Sequence, residues 1–318
     1  MNPTHIIESA YLTEGLFGQI MTWCLEILPY IEKHNLKPEW HIYSRNYGVQ
    51  PDYNIFPNIL SINYEPDKHE GASEILSFSK IKNEEGHPNY NFQFNFELAN
   101  HLFTKYFLLH TEITNAVDDY FSPYIGKHIL GLHYRGTDKQ DDTSQTNPVT
   151  ADLMLRLAQD MLKKVPDIDL IFLATDEESF IAKASNELPI QVISFDQQRK
   201  AIQTSTEEWH EPLFRGHDEN HNTEVGRCAI IDSLLLSRCH YLLKCQSSLS
   251  AWSKIWNPEL EAYRIAAFKH DWFPDAFIPL YTADSSELNA ELMNTQMGEV
   301  PTENKLRASL PVNSYFTK

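Results

Sequence analysis

The stretch "HILGLHYRGTDKQDD", residues 128–142, passes within a few positions from apolar to densely charged. "HILGL" carries the aliphatic residues, with an interior Gly131, of a strand covered on both faces in a parallel sheet. His133, Arg135, Thr137, Asp138 and Lys139 then crowd together. Packing gives no reason for that density, because charges are buried only when paired and otherwise stay in water. A ligand gives one.

Downstream the pattern is regular. "TADLMLRLAQDMLKKV" is a helix with Thr150 as N-cap and Met154, Leu157, Ala158, Met161, Leu162 and Val165 on one face. "DLIFLATD" is a strand, "EESFIAKASNEL" a helix and "IQVISFD" a strand. After a polar segment, 197–224, come the helix "VGRCAIIDSLLLSRC", the strand "HYLLKC" and the helix "SLSAWSKIWN". Strands alternating with helices at this spacing mean βαβ units, a parallel sheet and a Rossmann-like α/β domain. A boundary near 122–127 separates it from a first half that reads as a looser version of the same plan. There, "TEGLFGQIMTWCLEIL" places Gly15 and Gly18 just before a helical run, and "EWHIYSRN" (39–46) is a strand. The segment 47–95 reads mostly as loop, and 95–121 as helical, in two consecutive helices. Residues 281–318 fit either a helix folded back on the body or a tail.

Composition sets bounds. With 318 residues, 42% of them hydrophobic, the chain can bury a substantial core, and its length favours two domains. A net charge of −18 argues against nucleic acid and anionic membrane surfaces as partners. No run reaches a membrane span, and the first residues lack the basic and apolar regions of a secretory signal. Cys24, Cys228, Cys239 and Cys245 form no CxxC pair, which points to reduced, buried thiols and a cytoplasmic protein.

Ligands of open parallel sheets bind outside the carboxyl ends of the strands. Three such ends carry polar clusters here: "HYRGTDK", "ATDEES" and "CQSSLS". Ser247, Ser248 and Ser250 stand where a strand enters a helix, a ready anion site. Arg135 supplies a forked guanidinium suited to phosphate, so a diphosphate shared by Arg135 and the Ser-rich turn is the natural expectation. Neither G-x-x-x-x-G-K-[ST] nor G-x-G-x-x-G occurs, which removes support for an ATPase or an NAD enzyme of the usual kind. The histidines of "WHEPLFRGHDENHN" (His210, His217, His221) invite a metal reading, but Gly216 and the asparagines oppose the helix that such spacing needs. A loop ordering over the donor, with Arg215 or Arg227 reaching the diphosphate, fits better. Asp167 and Asp169 mimic a metal-binding D-x-D but precede their strand. Trp252 and Trp256, one helical turn apart, read as core.

"HYRGTDK" resembles the H-x-R-x-T-D-K motif of the α1,6-fucosyltransferases, the family of core N-glycan and nodulation-factor enzymes, and is more distantly similar to the protein O-fucosyltransferases. "FLATDE" is similar to the second motif of that family and "IIDSLLLSRCHYLLKCQSSLS" to its third; together the three cover about residues 128–256. The resemblance implies a GT-B architecture, two Rossmann-like domains facing across a cleft: 1–125 on the acceptor side, 126–280 binding the GDP-sugar, and 281–318 a C-terminal helix or tail. It implies that His133 and Asp232 contact guanine and that Arg135 holds the β-phosphate. Ser247 and Ser248 complete the nucleotide pocket, Asp138 braces the motif loop, and Asp176 holds the neighbouring strand end. It also implies inversion at the anomeric carbon in a single displacement without a metal or other cofactor. Two positions depart from the pattern. Gly136 replaces the second arginine of the core-fucosylating enzymes, and Thr143 stands where some relatives have a glutamate resembling a base. Asp142, or Asp141 beside it, is the carboxylate expected to deprotonate the acceptor, with Lys139 contributing charge. Gly15 and Gly18 are expected on the acceptor side.

The expected activity is transfer of fucose from GDP-fucose to a hydroxyl of an oligosaccharide or lipid-linked glycan. The alternatives are a transferase for another GDP-sugar, a catalytically idle nucleotide-sugar or glycan-binding protein, and a metal-dependent hydrolase built on the histidine loop.

Overall fold

The computed structural model describes residues 4–12, 15–48, 50, 52–67, 73–78, 80–81, 94–136, 149–196, 219–265 and 273–295. The chain divides into two compact units: Met1–Asn115 with His210–Ala229, and Ala116–Trp209 with Ile230–Leu310, the last eight residues being counted with the first.

In the first unit, β1 (Thr4–Leu12) leads through a π-helical turn (Leu16–Met21) directly into α1 (Thr22–His34). Then follow β2 (Glu39–Ser44), a short α2 (Phe56–Ile59), β3 (Ser61–Ile62), β4 (Ser73–Ser77), α3 (Phe96–Tyr106) and β5 (Phe107–Leu108). The sheet is parallel in the order β2-β1-β4, and β3 and β5 form a separate antiparallel pair. Within 47–95, read mostly as loop, the structure places α2, β3 and β4, of which β4 adds a strand to the sheet. Its sequence, Ser-Glu-Ile-Leu-Ser, has only Ile75 and Leu76 as aliphatics, and Ile75 is 51% exposed on this edge strand. An edge strand buried on part of one face carries too few apolar residues to announce itself. The two consecutive helices expected between 95 and 121 are α3, capped by Asn95 accepting from Leu98 N at 2.7 Å, and α4 (Thr111–Phe121).

The second unit is a five-stranded parallel sheet, order β10-β9-β6-β7-β8, made of β6 (Ile129–Tyr134), β7 (Leu170–Thr175), β8 (Gln191–Ile193), β9 (Tyr241–Lys244) and β10 (Glu261–Arg264). Its helices are α5 (Ala151–Lys164), α6 (Glu178–Glu187), α8 (Ser248–Trp256) and α9 (Ser286–Thr295), together with the part of α7 (Glu219–Ser237) from Ile230 onward, the earlier part being counted with the first unit. Thr150 caps α5 as the sequence predicts, its hydroxyl accepting from Leu153 N at 3.2 Å. α7 begins within the polar segment, earlier than Val225.

Side chains of alternate strand residues face opposite sides. Leu130, Leu132 and Tyr134 of β6 face a core shared with Met154, Leu157 and Ala158 of α5 and Phe180 of α6. Gly131 and His133 face the other side, toward α7. A Cβ on Gly131 would meet Leu236 and Cys239 at 3.1 Å, so the missing side chain lets α7 pack tightly on the sheet. Trp252 is fully buried, as its core reading requires. No described helix is long and apolar enough to cross a membrane.

Candidate functional site

The strand order places the site. From β6 the sheet grows outward through β7 and β8, and from its other edge through β9 and β10, so direction reverses between β6 and β9. At such a switch point the connections leave to opposite faces and open a crevice at the carboxyl ends of the strands. Here the two strands end side by side, with Cys245 N donating to His133 O at 3.0 Å.

His133 is 5% exposed, and its Nδ1 lies 2.8 Å from Ser250 Oγ of α8. Burial first, then the charges of Lys244 and Arg135, hold its pKa well below the usual imidazole value, so the ring is neutral near pH 7. Arg135 follows at the strand end, half-buried, with Nε 3.9 Å from Asp176 Oδ2 beyond β7. The aspartate lies on the guanidinium's flank, a carboxylate that favours its charged form.

α7 brings Asp232 to the same level. Gly131 meets α7 at Leu236, and α7 runs down toward the tight turn before β9. His133 lies two strand residues above Gly131, about 6.6 Å. Asp232 lies four residues, about one turn, above Leu236 on the same face, about 6 Å. Asp232 is 4% exposed, and next to it Ser233 fastens α7 to α8 by donating to Leu249 O at 2.8 Å.

Ser247 is the N-cap of α8 with extended backbone, φ −166° and ψ 138°, yet its side chain makes no cap bond. Its Oγ is buried and has no hydrogen-bond partner among the described residues. Leaving a buried hydroxyl unsatisfied costs about 1–3 kcal/mol. Thr150 and Asn95 use their cap oxygens in the ordinary way. Ser247 is thus set apart, at a helix terminus whose first amides and dipole favour an anion. Ser248 opens the helix beside it.

A second layer of charge escaped the sequence reading. His133 pairs in register with Lys244, and Lys244 with Arg264, so three neighbouring strands present His133, Lys244 and Arg264 on one face. Lys244 is fully buried and donates to Asp275 Oδ1, itself fully buried in a 3-10 turn at Asp275–Phe277. Arg264 Nε donates to Ile278 O at 2.6 Å. These contacts fasten the segment after residue 273 to the sheet edge. The available signal was the lysine ending the otherwise apolar "HYLLKC".

Of the predicted site residues, the structure gathers His133, Arg135, Asp176, Ser247 and Ser248 at one sheet edge, with Asp232 on the adjoining helix. Asp138, Lys139, Asp141, Asp142, Thr143, His210 and His217 lie outside the described residues. Arg227 is held by Glu224 at 3.0 Å and Glu112 at 3.5 Å in the first unit. Gly15 and Gly18 are exposed after β1, the middle strand of the first sheet, and Gly15 has an ordinary φ of −70°. Asp169 precedes β7, as its sequence position predicts, and its Oδ2 accepts from His128 N at 2.7 Å.

No protein-family model and no curated protein matches the sequence. Among solved structures the chain is similar in fold to NodZ α1,6-fucosyltransferase soaked with GDP-fucose, with 18% identity, 81% of this chain and 94% of that one covered, and a TM-score of 0.51. The selenomethionine form of fucosyltransferase NodZ from Bradyrhizobium gives the same identity, coverage and TM-score. At this identity the likeness is one of fold.

Proposed function

We propose that the chain is a GT-B glycosyltransferase that moves fucose from GDP-fucose to a glycan hydroxyl, inverting the anomeric carbon without a metal, in the cytoplasm. The observation that carries this reading is Ser247. A buried hydroxyl without a hydrogen-bond partner among the described residues sits at the N-terminus of α8, on the edge that also holds Arg135 and neutral His133. That set suits a nucleoside diphosphate, and the fold likeness to a fucosyltransferase supports the choice of donor.

Arg135, steered by Asp176, stabilises the charge that grows on the β-phosphate as the C1–O bond breaks; Ser247, Ser248 and the first amides of α8 share it. Neutral His133 offers one ring nitrogen to the base while Ser250 holds the other. Asp232 accepts from the N1–H and N2–H₂ edge of guanine, which distinguishes it from adenine. Arg227 remains a candidate contact for the diphosphate and the Gly15–Gly18 turn one for the acceptor, an oligosaccharide or lipid-linked glycan. The acceptor proton goes to a carboxylate, for which the motif loop offers Asp142 and Asp141.

The test is calorimetric titration, in EDTA, of GDP, GDP-fucose, GDP-mannose, UDP-glucose and ADP into the intact protein and Arg135→Ala. Guanine nucleotides are expected to bind preferentially, and Arg135→Ala to weaken GDP by roughly 10- to 100-fold, the worth of one or two charged hydrogen bonds. Loss of base preference, or binding indifferent to Arg135, overturns the reading. A GDP-mannose preference replaces fucose with another sugar.

A further inference from the structure

Gly136, the residue after Arg135, is buried, and a Cβ built on it would lie 2.2 Å from Glu177 Oε2 and 2.9 Å from the Tyr134 hydroxyl. No side chain fits at 136 while Glu177 keeps this position. The carboxylate of Glu177 therefore occupies the space where any residue but glycine would begin. Glu177 is the N-cap of α6, where an acidic side chain is ordinarily drawn to the free amides, but it makes no cap bond. Instead its backbone N donates to Thr175 Oγ1 at 3.2 Å, and Oε1 accepts from Ser179 Oγ. Oε2 is left directed at Gly136, one residue from the arginine proposed to hold the leaving phosphate. Tyr134, stacked on Phe180 at 4.0 Å, forms a rigid wall behind it. Glu177 itself is half-buried, so it is not sealed within the core.

We propose that Glu177 is the carboxylate that takes the proton of the incoming hydroxyl, in place of Asp142, and that Gly136 is the vacancy this role requires. The inference rests on the GDP-fucose reading. In the step, the acceptor oxygen forms a bond to C1 of fucose as the bond from C1 to the β-phosphate oxygen breaks. The electron pair leaves on GDP, where Arg135 stabilises it, and the hydroxyl proton passes to Glu177 Oε2 and then to solvent. Water serves as acceptor in the same way, giving free fucose and GDP. Gly136 and Glu177, at the ends of the neighbouring strands β6 and β7, thus form one device.

The experiment measures GDP-fucose hydrolysis and GDP binding for the wild type, Glu177→Gln and Gly136→Ala. Glu177→Gln keeps the shape and Ser179 contact but cannot take a proton. Its kcat is expected to fall by about 10²-fold, the lower end of general-base contributions, with KM and the GDP Kd within twofold of wild type. Gly136→Ala, which displaces the carboxylate, is expected to lower kcat in the same way. Wild-type kcat in Glu177→Gln overturns the inference and leaves the donor reading standing, as does an equal loss in KM and GDP affinity. A wild type that binds no guanine nucleotide overturns the donor reading and the inference with it.

Discussion

In the second unit, β6 and β7 are buried along every residue, while in the first unit β2 alternates buried with half-buried positions and β4 buries only Leu76. A strand open to solvent on one face accommodates polar side chains anywhere along that face. A strand covered on both faces accommodates them only where the cover ends. His133 and Arg135, at the end of β6, and Lys244, at the end of β9, are therefore informative in a way that Glu39 or His41 on β2 are not. In the first sheet a charge needs no explanation, and in the second it requires a partner or a ligand.

That difference is broken or sharpened most strongly by the two ion pairs. Asp275→Ala leaves the Lys244 ammonium buried alone and is expected to destabilise by about 3–5 kcal/mol, whereas Lys244→Met with Asp275→Leu is expected to be neutral or stabilising. Lys80→Ala, which removes the exposed partner of Glu74 on β4, is expected to change stability by less than about 1 kcal/mol. Urea unfolding of the four proteins measures the contrast, and equal losses in the two sheets would break it.

The next effect is one of pH. Native His133 takes a proton only well below the ordinary value, while the unfolded chain takes it near pH 6.5. Below that pH the unfolded state holds more protons, so stability falls as pH drops from about 6.5 and His133 contributes no slope above it. The limit is about 1.4 kcal/mol per pH unit for one site. His240, lowered by burial and by His128, acts in the same sense. Thermal unfolding between pH 7.5 and 5.5 should show the loss, reduced in His133→Gln to the share of His240.

The smallest effect compares two caps. Thr150→Ala removes a working cap and is expected to destabilise by about 1 kcal/mol. Ser247→Ala removes a hydroxyl with no described partner, and is expected to leave stability unchanged or raised while weakening GDP. Matching thermal shifts with GDP titrations separates the two.

The same contrast governs how much was legible in the sequence. β6, β7 and β9 are continuous apolar runs because both faces are covered, and the polar clusters at their ends pointed to Arg135 and Ser247 as candidates, whereas Asp232, inside an apolar helix, was suggested only by the family resemblance. "SEILS" and "EAYR" gave no comparable run, so β4 and β10 passed unread. Lys244, a charge ending a buried strand, was a signal the sequence reading passed over, and Asp275, far along the chain, has no pattern linking it to that lysine. Glu177 in "ATDEES" reads as an ordinary helix start, and only the fold reveals that its carboxylate turns away from the helix toward Gly136.

If the switch point between β6 and β9 holds a nucleoside diphosphate, a crystal structure of the intact chain grown with GDP will show it there. A phosphate oxygen is expected within hydrogen-bond distance of both the Arg135 guanidinium and Ser247 Oγ, with the guanine edge on Asp232. GDP bound elsewhere, or a Ser247 hydroxyl satisfied by a protein group with the nucleotide at a distance, would contradict it.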